Sequence, residues 1–561
     1  MIRPFFFSFV LIAASLTANI QCENKIDNKN HILFLMRSGH ISQALDIYKQ
    51  YHKQIGQHDF ELIQEMGLLL LDQGYRSSDP EIRVMTTFGA GISQNERTLY
   101  ILEAGMDSAA PELQLVCLNY LSHYQNDKAD EILKKAMNAG HPLIRLEAAY
   151  VMAQKKAPRA YAYAESLMYR FEGLLTPLFP QFFAMIGTAE ATRMLRKLMT
   201  NSDEDVRISS ILSAAKYGRD DLLPKIRILA THNEKAQQEA CAFALGILKD
   251  ESSIRKLETL TRSPVPHVRL AARKALYDLG RKEFKTAIED AAKEKDVFAI
   301  AQLGEIEGSQ DVLASLINDS NIQVKINAAA ALLHLRDPRC LATLVEILIM
   351  DTRGLCFSKI TSKGKSLTAW KAIPSGKQNF KDEPYAFELS LNMREDILEE
   401  TLDLPEQDFL RLAKAIFNRQ QTDLVPLLVS LLEQLHTPGA ITLLKEHQQQ
   451  IGAPLIRNYC NLALYNLKET GPYGDNIRSW IANKQHEELI RFRPFLPREL
   501  REHEEHYELT PQDNSGLLIA SFESFVISKD ERGIDILIEA IQNGHAKNKY
   551  ALAGLLLHAT H

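Results

Sequence analysis

The chain has 561 residues, 45% of them apolar and 24% charged, with a formal net charge of −6 at pH 7. A single core usually stops growing near about 250 to 300 residues, so this length asks for several cores or for an architecture that grows by repetition. The acidic balance excludes a globally basic nucleic-acid binder, and the apolar fraction is ordinary for a soluble protein.

At the N-terminus, Arg3 precedes an apolar run from Pro4 to Leu16, which is the pattern of a secretory signal peptide. The run is short for a bilayer span, and no later stretch approaches about 20 apolar residues. The reading is a leader over residues 1–22, cleaved after Ala18 or Cys22, and export to a periplasm or to the exterior. Cys22 also raises lipid attachment, although Asn19-Ile20-Gln21 matches a lipoprotein signal poorly.

Residues 23–75 read as a helical cap. Within it Gly39, Ala44, Leu45 and Tyr48 resemble the core of one tetratricopeptide hairpin. A stack of repeats needs such a capping unit with a polar outer face.

From Pro80 to Leu335 one short pattern recurs, clearest around Val206-Arg207 and Val268-Arg269. Anchored on the basic residue, it forms a ladder of Arg83, Gln114, Arg145, Thr176, Arg207, Gln238 and Arg269, each rung 31 residues after the last. Seven residues past the rungs stand Ala90, Leu121, Met152, Phe183, Ala214, Leu245 and Leu276, two helical turns on and so on the same buried face. Beyond Arg269 the step is read as shortening to 29 at Phe298 and 27 at Lys325. Thirty-one residues accommodate two helices and two turns. Gly187, Gly218 and Gly280 stand eleven residues past their rungs, where helix C-caps are expected.

These residues resemble the HEAT-like repeat first named from phycobilisome lyases, a Val-Arg-x-x-Ala-Ala-x-x-Leu helix preceded by Asp or Pro. The resemblance covers about residues 77–350 and implies an all-α fold, an α-solenoid of stacked HEAT-like helix pairs. It implies no single function, since the family spans scaffolds, transport adaptors, chromophore lyases, a DNA glycosylase group and an iron hydroxylase.

Residues 351–394 interrupt the solenoid as a loop with one or two short strands. They hold Lys359, Lys363, Lys365 and Lys371 with Trp370 among them, and no acid stands between Arg353 and Lys381. Such a segment can contact an anionic polymer, a lipid surface or an acidic partner. It can equally lie on its own acidic neighbour, the helix carrying Glu395, Glu399, Glu400 and Asp403. Residues 395–561 read as further helical repeats and a cap: one degenerate copy around Arg457, a helix near 476–489, a polar connection over 491–514, and an apolar pair over 516–527 and 533–557.

The six cysteines form no C-x-x-C, and Cys117 and Cys241 sit three past their rungs as small core residues. The ladder arginines read as structural ties to loop carbonyls. The iron hydroxylase of the family binds metal through His-Glu pairs in repeat register, whereas here such pairs occur only at His486-Glu487 and His503-Glu504, outside the clear repeats. His503 and His506 together offer a weak metal-ligand pattern. With no phosphate loop or nucleophile elbow in the sequence, no catalytic, metal or cofactor site is assigned. The reading is an exported, non-catalytic scaffold that binds a protein partner on its concave face, with no nucleic acid and no membrane span beyond the leader. Its alternatives are a HEAT-fold lyase or metal-dependent modifying enzyme, and docking of the basic insertion on an anionic envelope polymer or membrane surface.

Overall fold

A computed structural model describes residues 28–157, 159–171, 176–349, 355–362, 365–372, 394–420, 422–450, 452–487, 490–492, 509–511 and 513–558. The leader over 1–22 and the His503 and His506 pair lie outside them. The chain divides into two compact units, residues 149–467 on the one hand and residues 1–148 with 468–561 on the other.

The 149–467 unit is built from helix pairs. Its helices Glu204–Lys216, Lys235–Ile247 and Pro266–Asp278 begin 31 residues apart, and each packs on the next. The shorter helices Leu223–Leu229, Ile254–Leu260 and Lys285–Lys293 alternate with them. Local chemistry helps start these helices: Asp203 accepts from the amide of Asp205 at the head of Glu204–Lys216 and Asp296 from that of Phe298 at the head of Val297–Leu303, satisfying donors that the first turn leaves open, while Pro266 opens its own helix where no donor is needed. The predicted inner stripe is buried, with Phe183, Ala214, Leu245 and Leu276 all at most 0% exposed.

The period holds one copy longer than the sequence reading expects. Val297–Leu303 begins 31 residues after Pro266, which makes Ile300, not Phe298, the next rung, and Ile300 is fully buried. The shortening comes afterwards, because this helix has 7 residues where its predecessor has 13. Lys325 then regains the pattern, with Val324 before it and Leu332 seven past it both buried.

In this unit the long ladder helices are each followed by a residue with positive φ, eleven past the rung. The expected Gly187, Gly218 and Gly280 take φ of 70, 65 and 94°, and the same position holds Lys156 at 50° and Lys249 at 54°. The corner is therefore set by the repeat and not by glycine alone.

Residues 351–394 contribute an antiparallel hairpin, Leu355–Ser362 with Lys365–Ala372, in a register that sets Ser362 opposite Lys365. Helices resume at residues 394–400 and continue through Glu406–Asn418, Val425–Leu435, Pro438–His447 and Pro454–Asn466. In the last, Ile456 and Leu464 flank Arg457 at the repeat offsets and are fully buried.

The other unit joins both ends of the chain. Helices 28–37 and Ile41–Ile55 form the expected hairpin. It turns at Gly39, whose φ is 82°, with Ala44, Leu45 and Tyr48 in the core. The C-terminal apolar stretch is three helices, Asp513–Ile527, Glu531–Asn543 and Asn548–His558, because the helix over 531–543 stops at Gly544. Glu531–Asn543 packs on Ile41–Ile55, while Asn548–His558 packs on Phe60–Tyr75 and Pro80–Ile92. That last approach is close enough that a Cβ on Gly554 would stand 2.9 Å from Gly89 Cα. The predicted polar connection over 491–514 begins and ends in a short antiparallel pair, Ile490–Phe492 with Leu509–Pro511. Among the described residues no helix is long and apolar enough to cross a membrane.

Candidate functional site

Five of the ladder residues, Gln114, Arg145, Arg207, Gln238 and Arg269, are ties, as the sequence reading expects. Arg207 Nη1 donates to the carbonyls of Asn201 and Ser202 at 2.8 and 2.9 Å, and Arg269 Nη1 donates to those of Ser263 and Pro264 at 2.8 and 3.0 Å. Arg145 Nη1 reaches Ala139 O at 2.6 Å in the same way. These carbonyls belong to the turn that closes the preceding repeat. The reason glutamine serves on two of the rungs is now evident: Gln114 Nε2 reaches Ser108 O at 2.8 Å and Gln238 Nε2 reaches His232 O at 2.6 Å. One N–H donor suffices, and charge is dispensable. Arg207 also reaches forward to Gln237 Oε1 at 3.1 Å and Glu234 Oε2 at 2.5 Å.

Two concavities carry the same repeat address. One, of about 530 Å³, is lined by Met168, Tyr169, Thr176, Met194, Leu198 and Val206. The other, of about 500 Å³, is lined by Tyr75, Arg76, Arg83, Ile101, Gly105 and Leu113. Each residue of the second set stands three repeats before its counterpart in the first. Both open between consecutive second helices, at the Arg83 and Thr176 rungs. Each has an aromatic ring at its lip, since Tyr169 is 51% and Tyr75 37% exposed.

A polar constellation that the sequence reading did not find lies in the unit that joins the chain ends. His52 stands in the last turn of Ile41–Ile55, and His58 in the short connection to Phe60–Tyr75. Glu531 and Asp535 stand one turn apart on one face of Glu531–Asn543. Asp535 Oδ1 lies 3.5 Å from both His52 Nδ1 and His58 Nε2. Glu531 Oε2 lies 3.2 Å from His52 Nε2 and accepts from the His58 amide at 3.0 Å. Tyr48 Oη is 2.9 Å from His58 Nδ1, and His58 Nε2 is 3.1 Å from the Glu531 carbonyl. The His58 side chain is fully buried, and burial followed by the neighbouring His52 lowers its pKa, so it stays a neutral imidazole. His52, His58 and Asp535 each direct one metal-ligating atom to a common space, the three atoms within 4.8 Å of one another. No sequence motif announces this group, since the carboxylates lie more than 470 residues from the histidines.

Lys363 lies outside the described residues, and for Lys359, Lys365, Trp370 and Lys371 the structure describes backbone pairing alone. His486 is exposed, and its neighbour Glu487 pairs with Lys484. Cys117 and Cys241 are fully buried with free thiols.

No family model and no curated protein matches the chain. Among solved structures it is similar to the complex of CpcE and CpcF of phycocyanin lyase from Nostoc sp., at 17% identity over 39% of this chain and 93% of that one, with a TM-score of 0.28. It is also similar to the karyopherin Kap121p bound to the extreme C-terminus of the protein phosphatase Cdc14p, at 11% identity over 91% of this chain and 63% of that one, with a TM-score of 0.38. Human deoxyhypusine hydroxylase in complex with glycerol matches at 14% identity over 53% of this chain and 98% of that one, with a TM-score of 0.23. Similarity at this level bears on neither activity nor partner. What the helices themselves define is the class: an all-α solenoid of HEAT-like helix pairs, interrupted by a short β-hairpin.

Proposed function

We propose that the chain is a non-catalytic scaffold, exported through its N-terminal leader, that binds a protein partner along its repeats. The observation that carries this reading is the pair of equivalent concavities three repeats apart, each with tyrosine at the lip and aliphatic or Met side chains in the wall. Tyrosine, methionine and arginine around a recess are the composition of a binding hot spot. Each recess by itself suits an anchoring side chain of a partner segment laid along its helices.

Site-specific photocrosslinking in the native cell tests this. A photoreactive residue in place of Tyr75, or of Tyr169, is expected to yield one discrete protein adduct of the same mass increment at both positions. The same residue at the exposed outer position Glu190 is expected to yield none. Adducts at Glu190 as abundant as at Tyr75 and Tyr169, or none at any of the three, would reject the concavities as the binding surface. Amino-terminal sequencing of the purified mature chain checks export, with a start after residue 18 or 22 expected.

A further inference from the structure

We propose that His52, His58 and Asp535 form a binding site for a divalent transition-metal ion of the zinc class, with Glu531 and Tyr48 holding the two imidazoles. The argument begins with distance. A tetrahedral ion with bonds of about 2.1 Å separates neighbouring ligand atoms by about 3.4 Å. Asp535 Oδ1 stands at 3.5 Å from His52 Nδ1 and at 3.5 Å from His58 Nε2. The edge between Asp535 and His58 is thus already near its metal-bound length, and His52 Nδ1 starts at a similar distance.

The second step concerns the far nitrogen of each ring. A ligating histidine generally has its other ring nitrogen hydrogen-bonded to a carboxylate, carbonyl or similar group, which sets tautomer and orientation. Here Glu531 Oε2 takes His52 Nε2 at 3.2 Å and leaves Nδ1 to the ion. Tyr48 Oη takes His58 Nδ1 at 2.9 Å, and His58 Nε2, 3.1 Å from the Glu531 carbonyl, would exchange that contact and its proton for the ion, with Tyr48 Oη then accepting from Nδ1–H. Each ring is therefore anchored at one nitrogen, and the other nitrogen of each lies 3.5 Å from Asp535 Oδ1. The Glu531 carboxylate is fixed in turn by the His58 amide.

Charge and ligand type agree. Two neutral imidazoles with the carboxylates of Asp535 and Glu531 offset a dication, and a nitrogen-rich set with one carboxylate oxygen suits zinc, cobalt or nickel better than magnesium or calcium. Three protein ligands leave the fourth position to water. Besides the exchange at His58 Nε2, one movement is required. The two rings stack at 3.9 Å with 8° between their planes, and an ion must lie in the plane of each ring it bonds. His52, part-exposed in the last turn of its helix, must rotate out of the stack, while the buried His58 keeps its place on Tyr48. The ion would then fasten the N-terminal hairpin to the Glu531–Asn543 helix by bonds between residues that the chain places at opposite ends.

The test uses the full chain, stripped with a chelator and titrated with cobalt(II) and then zinc(II). One cobalt ion per chain with the strong visible absorption of tetrahedral coordination is expected, displaced by zinc. His52→Ala and Asp535→Asn, both at positions with solvent access, are each expected to weaken zinc at least tenfold and to abolish that absorption. The pair His503→Ala with His506→Ala is expected to leave both unchanged. Circular dichroism and thermal melting confirm that each variant is folded before it is compared. Failure of the folded wild-type chain to bind one ion with tetrahedral absorption would overturn the proposal, and so would retention of that absorption by folded His52→Ala and Asp535→Asn.

Discussion

Lys274 and Glu305 occupy the same position in consecutive repeats, 31 residues apart, and Lys274 Nζ donates to Glu305 Oε2 at 2.8 Å. Asp278, one turn on from Lys274, takes the same ammonium at 2.8 and 2.9 Å. The lysine side chain is only 5% exposed, so repeat neighbours are joined by a buried charge as well as by apolar contact. Burial by itself lowers the lysine pKa, but Asp278 and Glu305 outweigh it and hold the pKa above the ordinary value.

Removing one partner from such a cluster costs more than removing all of it, because the remaining charges stay desolvated. Lys274→Met leaves two carboxylates facing each other at 20 and 15% exposure, and is expected to destabilise the chain by about 3 kcal/mol. Adding Asp278→Asn and Glu305→Gln to that variant is expected to restore most of the loss. Urea unfolding of the single and triple variants measures both. A triple variant less stable than the single would show that the carboxylates are held by something other than Lys274.

Gly218 isolates the backbone term at the repeat corner. Its φ is 65°, and a Cβ there would meet nothing within 4 Å, so Gly218→Ala adds no clash and only the left-handed strain. A loss of about 1 kcal/mol is expected. Lys156 holds the same position at φ 50°, and Lys156→Gly is expected to gain less than that, because glycine also enlarges the unfolded ensemble. Thermal melting of the two variants beside the parent reads both signs.

Asp250 governs a pH dependence. Its side chain is 4% exposed and accepts from Arg227 Nε and Nη2 at 2.8 and 2.7 Å and from Ser252 Oγ at 2.7 Å, with Ser253 also donating. Burial pushes its carboxyl up, but the bonds from Arg227 and the two serines prevail and hold it well below the usual carboxylate range. A depressed folded pKa means stability that is present above the unfolded value, about 4 for Asp, and lost as pH falls through the folded one. Asp250→Asn is expected to cost about 2 kcal/mol at pH 7 and proportionally less below pH 4. Urea midpoints from pH 7 down to pH 3 check this, and a constant difference across that range would exclude the assignment.

The repeat was legible in the sequence because its determinants are local. The rung, its buried neighbour, the residue seven further on and the corner eleven further on all belong to one helix and its cap, so their spacing is set by helix geometry before any tertiary contact forms. The one misplaced rung, Phe298 for Ile300, has a physical reason. The anchor was a basic or polar side chain, and at Ile300 that position is apolar and fully buried, so only the helix start at Val297 reveals the register. The single helix expected over 533–557 failed for a related reason, since Gly544 looks tolerable inside an apolar run until its carbonyl partners are known.

The candidate sites divide along the same line. That Arg207 and Gln238 tie turns could be inferred, because they face carbonyls five or six residues away. That Tyr75 and Tyr169 head equivalent recesses could not, since much of each wall comes from second helices whose side chains differ between copies. The group of His52, His58, Glu531 and Asp535 had no sequence signature at all. The amino-acid order by itself determined the period, the helical class and the caps, all of which depend on separations within about one repeat. Only the tertiary structure brought the two ends of the chain together, because that contact depends on close helix packing at Gly89 and Gly554, a long-range fit that no local pattern encodes.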